Sequence, residues 1–286
     1  LTRAVNAVVL TILLSSCGNQ PIAQTNTREP EPAKTAQVTP AAPADAAAVQ
    51  QRRDAIEAHE PEMLVHWTFD SPYVFGVYEY DRSGNSVDGR TVWNGQRSAG
   101  GLYWKPGEGL HGGAGYIPDS SRGCMTARDT MELPASWTLS MWYKPSADKP
   151  DSVGSLNIAY FTNPNDGTIR FTLGQRGRWG VNVYNEEGAQ VGGTGMSNPV
   201  RQVGQWHHLA VVVDNNQMHM FVNGVKSERP GTISAPITGP VRLGIAGIKG
   251  APHHKPGGHY DELRLIGRAL SDDEIAVLAD KDSEVY

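Results

Sequence analysis

Cysteine is nearly absent from this chain. Its 286 residues hold only Cys17 and Cys124, too few for the bridge framework that staples small exported domains. Basic charge is scarce as well. With 25 Lys and Arg against 30 Asp and Glu, the net charge is −5, and no basic stripe runs along the chain. That argues against nucleic acid as a partner, since nucleic acid wants a positive face. The apolar run 7–14 falls far short of the roughly 20 residues a spanning helix needs. No His-Glu-x-x-His pair, Gly-x-Ser-x-Gly turn or phosphate-binding loop occurs, so three common catalytic signatures are missing. What the chain does have is 32 glycines, 19 prolines and 7 tryptophans. That mixture suits short strands broken by turns.

The first sixty residues do not read as fold. Arg3 precedes the apolar run, which ends in Leu14-Ser15-Ser16-Cys17, the length and order of an export signal. The final four residues resemble the lipobox of bacterial lipoproteins. The resemblance implies that Cys17 is acylated and becomes the mature N-terminus, tethering the protein to a membrane in the cell envelope. Gly18 follows the cysteine, a pattern that sends such lipoproteins to the outer membrane where the host has one. Residues 18–48 contain nine alanines, five prolines and no aromatic residue. Such a stretch buries too little apolar surface to offset chain entropy, so 18–61 is expected to be a disordered tether. Within it, 46–60 has the composition of a short polar helix.

From residue 62 to 286 the texture is that of one domain, large enough to fold without disulfides. Strands are expected at 64–69, 115–117, 137–144, 156–162, 169–173, 180–184, 207–213, 219–222, 241–245 and 259–265. Turn signals such as Asn163-Pro-Asn-Asp-Gly167 and Asn223-Gly224 separate them. Alternation in 180–185 puts Val181 and Val183 on one face and Asn182 and Tyr184 on the other. LAVVV at 209–213 is apolar on both faces, as in a strand covered on both sides. One helix is expected, opened by Ser271 with Glu274 three residues on, a capping box.

In this order the runs resemble the laminin-G-like domain of the concanavalin A-like lectin/glucanase superfamily. The resemblance lies in LVHWTFD (64–70), DRSGN (81–85), WTLSMWYKP (137–145), GQWHHLAVVVDNNQMHMFVNGV (204–225) and HYDELRLIGRALSDDEI (259–275). It implies an all-β fold, a two-sheet antiparallel jelly-roll sandwich, concanavalin A-like, whose concave face holds sugars in relatives or, in glucanases, cuts them. Relatives also hold a structural Ca²⁺ where the first and last strands meet. Here Asp261 would supply it, with Asp70 and carbonyls of 111–115; the other reading has Asp261 pin a neighbouring amide.

Function is argued from residues rather than from fold. Retaining glycosidases set two carboxylates about 5–5.5 Å apart, and the superfamily's β-glucanases carry them on one alternating strand. No such strand occurs. Asp261 and Glu262 are adjacent and expected to face opposite ways. Asp272, Asp273 and Glu274 sit at a helix start, where negative charge suits the backbone dipole. No catalytic residue is assigned. The ligand-binding candidates are Trp179, Tyr184, Asn182, Arg170 and Tyr160, flat rings and polar groups at the edges of the middle strands. The expected role is a non-catalytic envelope lipoprotein whose jelly-roll surface meets a glycan or a cell-envelope protein. The rivals are a glycoside hydrolase or polysaccharide lyase with carboxylates converging from different strands, and a purely structural envelope protein.

Overall fold

The computed structural model describes residues 62–70, 78–93, 96–97, 102–110, 112–118, 123–146, 156–163, 167–173, 178–185, 187, 189–194, 202–234, 236–246 and 257–281. The expected signal segment, Cys17, the tether and the 46–60 helix lie outside the described residues.

Two antiparallel sheets form the domain. The first runs β1 (Met63–Trp67), β19 (Gly258–Ile266), β9 (Ser136–Pro145), β14 (His207–Asp214) and β15 (Gln217–Val222). At the start of β19, β6 (Gly113–Ile117) takes the place of β1 and carries β5 (Tyr103–Pro106) outside it. The short β16 (Val225–Lys226) closes a hairpin onto β15.

The second sheet runs β3 (Gly89–Trp93), β7 (Gly123–Ala127), β18 (Gly239–Ile245), β10 (Leu156–Asn163), β11 (Gly167–Leu173), β12 (Trp179–Tyr184) and β13 (Gln190–Gly193). Against β3 lie β2 (Tyr78–Glu79) and β4 (Gln96–Arg97), and β8 (Met131–Leu133) pairs with the start of β18. One three-residue strand, β17 (Gly231–Ile233), bonds to both β13 and β15 and so joins the two sheets at one flank.

Alternation places the core between the sheets. On β9, Trp137, Leu139, Met141 and Tyr143 point inward; on β14, Leu209, Val211 and Val213 do. They meet Ala159, Phe161, Val181, Val183, Leu243 and Ile245 of the second sheet. The opposite face of the first sheet is apolar too, which is why LAVVV carries no polar side. There Ala210, Val212, Phe221 and Ile266 pack against Ile275, Val277 and Leu278 of helix α1 (Asp272–Leu278). Ser271 caps that helix: its side chain accepts from the Glu274 amide, and the Glu274 carboxylate accepts from the Ser271 amide at 2.8 Å.

One expectation fails in the last strand. The pairing of β19 with β9 slips between Asp261 and Arg264, and Glu262 sits at φ 47°. This bulge adds a residue and breaks alternation. Glu262 therefore does not point opposite Asp261 into the core. Its carboxylate lies 2.5 Å from the Arg264 guanidinium and 2.9 Å from His66 Nε2, on the outer face of the first sheet. Burial and Arg264 hold the His66 imidazole below its usual range. It is neutral at pH 7 and donates through Nε2 to the carboxylate.

Candidate functional site

The expected ligand residues fall in the second sheet, and the strand register decides which of them meet. A row crosses the outer face through Arg90, Thr126, Gly244, Tyr160, Arg170 and Asn182, each paired with the next across β3, β7, β18, β10, β11 and β12. A second row runs one step along the strands through Arg242, Thr162, Thr168 and Tyr184. The residues flanking Arg90, Thr126, Tyr160 and Asn182 in sequence are buried toward the core, which turns these four outward. Tyr160, Arg170 and Asn182 are thus brought together, with Tyr184 beside them. The Arg170 side chain lies outside the described residues; its position is that of the backbone register.

Trp179 is a correction. It shares parity with Val181 and Val183, and it is fully buried in the core. Its ring centroid lies 6.0 Å from Tyr143 and 5.3 Å from His207, so it has no surface to offer a sugar. Tyr160 points outward but is only 5% exposed. Its ring lies across Gly244, where an added Cβ would meet the phenol oxygen at 2.5 Å. The hydroxyl reaches Thr126 and the buried thiol of Cys124, and burial pushes the phenol far up, so it stays protonated. Tyr160 acts as a floor under the row rather than as an exposed stacking plate. Asn182 and Tyr184 are half-buried, and the Asn182 side-chain oxygen accepts from Gln190 Nε2 at 3.1 Å.

Two residues of these rows were not singled out from the sequence. Arg90 and Arg242 are half-buried, and each has a buried Nε with no hydrogen-bond partner. The Nε atoms lie out of reach of a surface ligand, and what each residue brings to the outer face is a positive charge on a half-buried side chain. The signal was present in the sequence: Arg242 stands between Val241 and Leu243, and Arg90 opens the run RTVW. Both positions alternate outward.

Most carboxylates stand elsewhere. On the described strands of the second sheet, Glu132 of β8, exposed between the core residues Met131 and Leu133 and paired with Pro240, projects from the outer face. Asp81 accepts from the amides of His66, Ser83 and Val87 and so builds the DRSGN turn. Glu79 is buried and accepts from the Phe69 amide at 2.9 Å, fixing that residue at φ 59°.

The Asp70 and Asp261 carboxylates hold the backbone at Gly113 and Leu110. Asp70 Oδ1 accepts from the Gly113 amide at 3.0 Å, and Asp261 Oδ2 from the Leu110 amide at 2.7 Å. Asp261 Oδ1 takes the Glu262 amide at 3.0 Å. Gly112 must be glycine: its φ is 59°, and a Cβ would meet Asp70 Oδ1 at 2.3 Å. Calcium wants six to eight oxygens aimed at one point. Here amide hydrogens approach the oxygens instead, and among the described residues no three His, Cys, Asp or Glu side chains form a metal-binding group. Asp261 thus pins the amides of Leu110 and Glu262.

A two-layer antiparallel sandwich with one polar outer face defines the class. Residues 118–276 match the model of the laminin-G-like family described as the concanavalin A-like lectin/glucanases superfamily, and the chain belongs to that family. Among solved structures, domain 4 of AbnA, an extracellular arabinanase of Geobacillus stearothermophilus, in complex with arabinotriose, is similar at 19% identity and TM-score 0.58, covering 77% of this chain and 98% of that one. The binding domain of Paraclostridial Mosquitocidal Protein 1 is similar at 15% identity and TM-score 0.55, covering 78% and 53%. A structure of botulinum neurotoxin type C, whose cell entry depends on interaction with two ganglioside molecules, is similar at 11% identity and TM-score 0.54, covering 78% and 52%. The chain thus spans about half of the latter two. No curated protein matches the sequence. At these identities the likeness is one of fold, and the fold is shared by glycoside hydrolases and by non-catalytic binding domains.

Proposed function

We propose that this protein is a non-catalytic glycan-binding module, tethered to the cell envelope through a lipid on Cys17, with the outer face of its second sheet as the recognition surface. The observation that carries the reading is the register that sets two half-buried arginines, Arg90 and Arg242, with Asn182 and Tyr184 on one face around Tyr160. By strand geometry Arg90 stands about 10 Å across the sheet from Gly244, and Arg242 about 7 Å along it, so the two bracket the Tyr160 floor at the spacing of one or two sugar rings. Sugar hydroxyls and carboxylates are acceptors suited to guanidinium groups, and Asn182, Tyr184 and Arg170 extend the polar row. On the described strands of this sheet Glu79 is buried and Glu132 alone projects outward, which supports binding over cleavage, because glycoside hydrolysis needs a pair of carboxylates. The arabinotriose complex of the similar arabinanase domain supports a saccharide over a protein partner.

A glycan array probed with the full chain tests this, followed by titration of the best ligand into Arg90→Ala/Arg242→Ala. Loss of binding by tenfold or more, about 1.4 kcal/mol, is expected. Unchanged binding, or no bound glycan at all, defeats the reading; release of shorter sugars from a bound polysaccharide defeats its non-catalytic part. Mass spectrometry of the mature N-terminus tests the anchor, and a free, unacylated Cys17 ends that claim.

A further inference from the structure

The first sheet carries its own polar row on its outer face. Lys144 of β9 pairs with His259 of β19, His259 with Tyr116 of β6, and Tyr116 with Tyr103 of β5. Lys105 stands two residues beyond Tyr103 on the same side of β5. Of these, Lys105, Tyr116, Lys144 and His259 line a surface cleft of about 370 Å³, which Glu108, Ser146 and Gly204 complete. The Gly204 amide fixes one rim by donating to the Pro145 carbonyl at 2.8 Å. That volume lies at the lower end of the range for small-molecule sites, about 300–1,000 Å³.

The charges in the cleft are held in place by aromatic rings. Lys105 Nζ lies 5.3 Å from the centroid of Tyr116, and Lys144 Nζ lies 4.9 Å from that of Trp206. Tyr116 and His259 rings lie 4.7 Å apart, and Trp206 meets His259 edge-on at 6.3 Å. Cation–π contacts of this kind position an ammonium without neutralising it. Between the two lysines, Glu108 Oε2 lies 2.8 Å from His259 Nε2, and the Glu108 carbonyl accepts from Lys144 Nζ at 3.2 Å. Burial holds His259 below its usual range, and the hydrogen bond from His259 holds the Glu108 carboxyl below its own. At pH 7 the pair is a neutral imidazole donating to a carboxylate. A carboxylate has about four lone-pair sites, and the bond from His259 uses one of them.

We propose that this cleft is a second saccharide site that takes an acidic sugar residue, its carboxylate set between Lys105 and Lys144 and its ring hydroxyls donating to Glu108. The mixed charge argues for a sugar acid over a bare anion. A simple anion would gain from two ammonium groups but be repelled by Glu108, whereas a sugar acid brings both an anion and hydroxyl donors. Neutral sugars satisfy Glu108 alone and leave both cations unused. The site rests on the glycan-binding reading for its ligand class, but it uses none of the residues of the Arg90–Asn182 row, so the two stand or fall apart. With both occupied, one tethered domain would grip a polysaccharide at two points, and linked sites gain avidity without new contacts.

The test is calorimetric titration of the full chain with trigalacturonate and, separately, with sialyllactose, each against its carboxyl methyl ester. At least one acid is expected to bind about tenfold tighter than its ester, and Lys105→Gln/Lys144→Gln to remove that preference while Arg90→Ala/Arg242→Ala keeps it. Melting curves check that the variants fold, and Lys105→Gln alone, which leaves β9 untouched, is expected to show a smaller loss in the same direction. Sodium sulfate at the same concentration is expected not to compete. Equal affinity for acid and ester, an acid preference that survives in the double lysine variant, competition by sulfate, or no binding of either acid overturns the proposal.

Discussion

The Tyr160 ring lies across Gly244, so close that a Cβ there would meet the phenol carbon Cζ at 2.3 Å. A side chain of one strand thus lies flat over the backbone of its neighbour, filling space that any other residue at 244 would need. Gly244→Ala must displace the ring, and overpacking of this kind costs about 1–3 kcal/mol. Urea denaturation of the variant is expected to show that loss, and Gly244→Ala to cost less when made on top of Tyr160→Ala than in the natural protein. An unaltered midpoint for Gly244→Ala would mean the ring does not occupy that place.

Burial pushes the Glu79 carboxyl up to about 8 from an ordinary 4.5. The folded protein therefore keeps a proton that the unfolded chain releases above pH 4.5. The stability linked to this group is full below pH 4.5, declines as pH rises, and is gone once pH passes the folded value near 8, at up to about 1.4 kcal/mol per unit. Glu79→Gln keeps the shape and removes the titration. Its stability is expected to vary less than that of the natural protein between pH 5 and 8, measured by denaturant midpoints across that range.

His208 behaves in the opposite sense. It is fully buried on the outer face of the first sheet, with Nε2 2.8 Å from Ser140 Oγ, and burial, aided by Arg264, pushes it down to about 3. The folded state holds the ring neutral, whereas the unfolded chain takes up a proton below pH 6.5. Stability is therefore intact above pH 6.5 and is lost as pH falls toward 3. His208→Gln is expected to flatten that acid limb relative to the natural protein. Identical acid limbs would show that the ring titrates normally and is not enclosed.

Because amides already approach the Asp70 and Asp261 carboxylates, EDTA is expected to leave the melting temperature unchanged, with Asp261→Ala destabilising in its presence and absence alike. A fall of several degrees on chelation, reversed by calcium, would restore the ion implied by the family resemblance.

The sequence was most legible where apolar alternation was dense. Segment 137–144 appears as Ser136–Pro145, 207–213 as His207–Asp214, and the capping box at Ser271 marks a real helix start. Strands such as Gly123–Ala127 escaped notice, because GCMTA has little apolar contrast and its position comes from pairing with β3 and β18 rather than from local preference. At the site, parity placed Asn182 and Tyr184 correctly. The same parity, applied to Trp179, puts it in the core, and a general liking of sugars for tryptophan misled there. The bulge at Glu262 has no sequence signal: a left-handed glutamate is set by the strands on either side. Arg90 and Arg242 were readable as outward residues, but their unpaired Nε atoms emerge only when neighbouring strands bury them.

The three residues of β17 bond to the outermost strand of each layer at the same flank. Exposed strand edges are where one copy of a β protein recruits another, and this flank offers neither layer's edge for that purpose. Self-association through strand addition would have to begin at the opposite flank. Lengthening the 223–231 connection to free β17 would expose both edges at once, turning a closed seam into a sticky one.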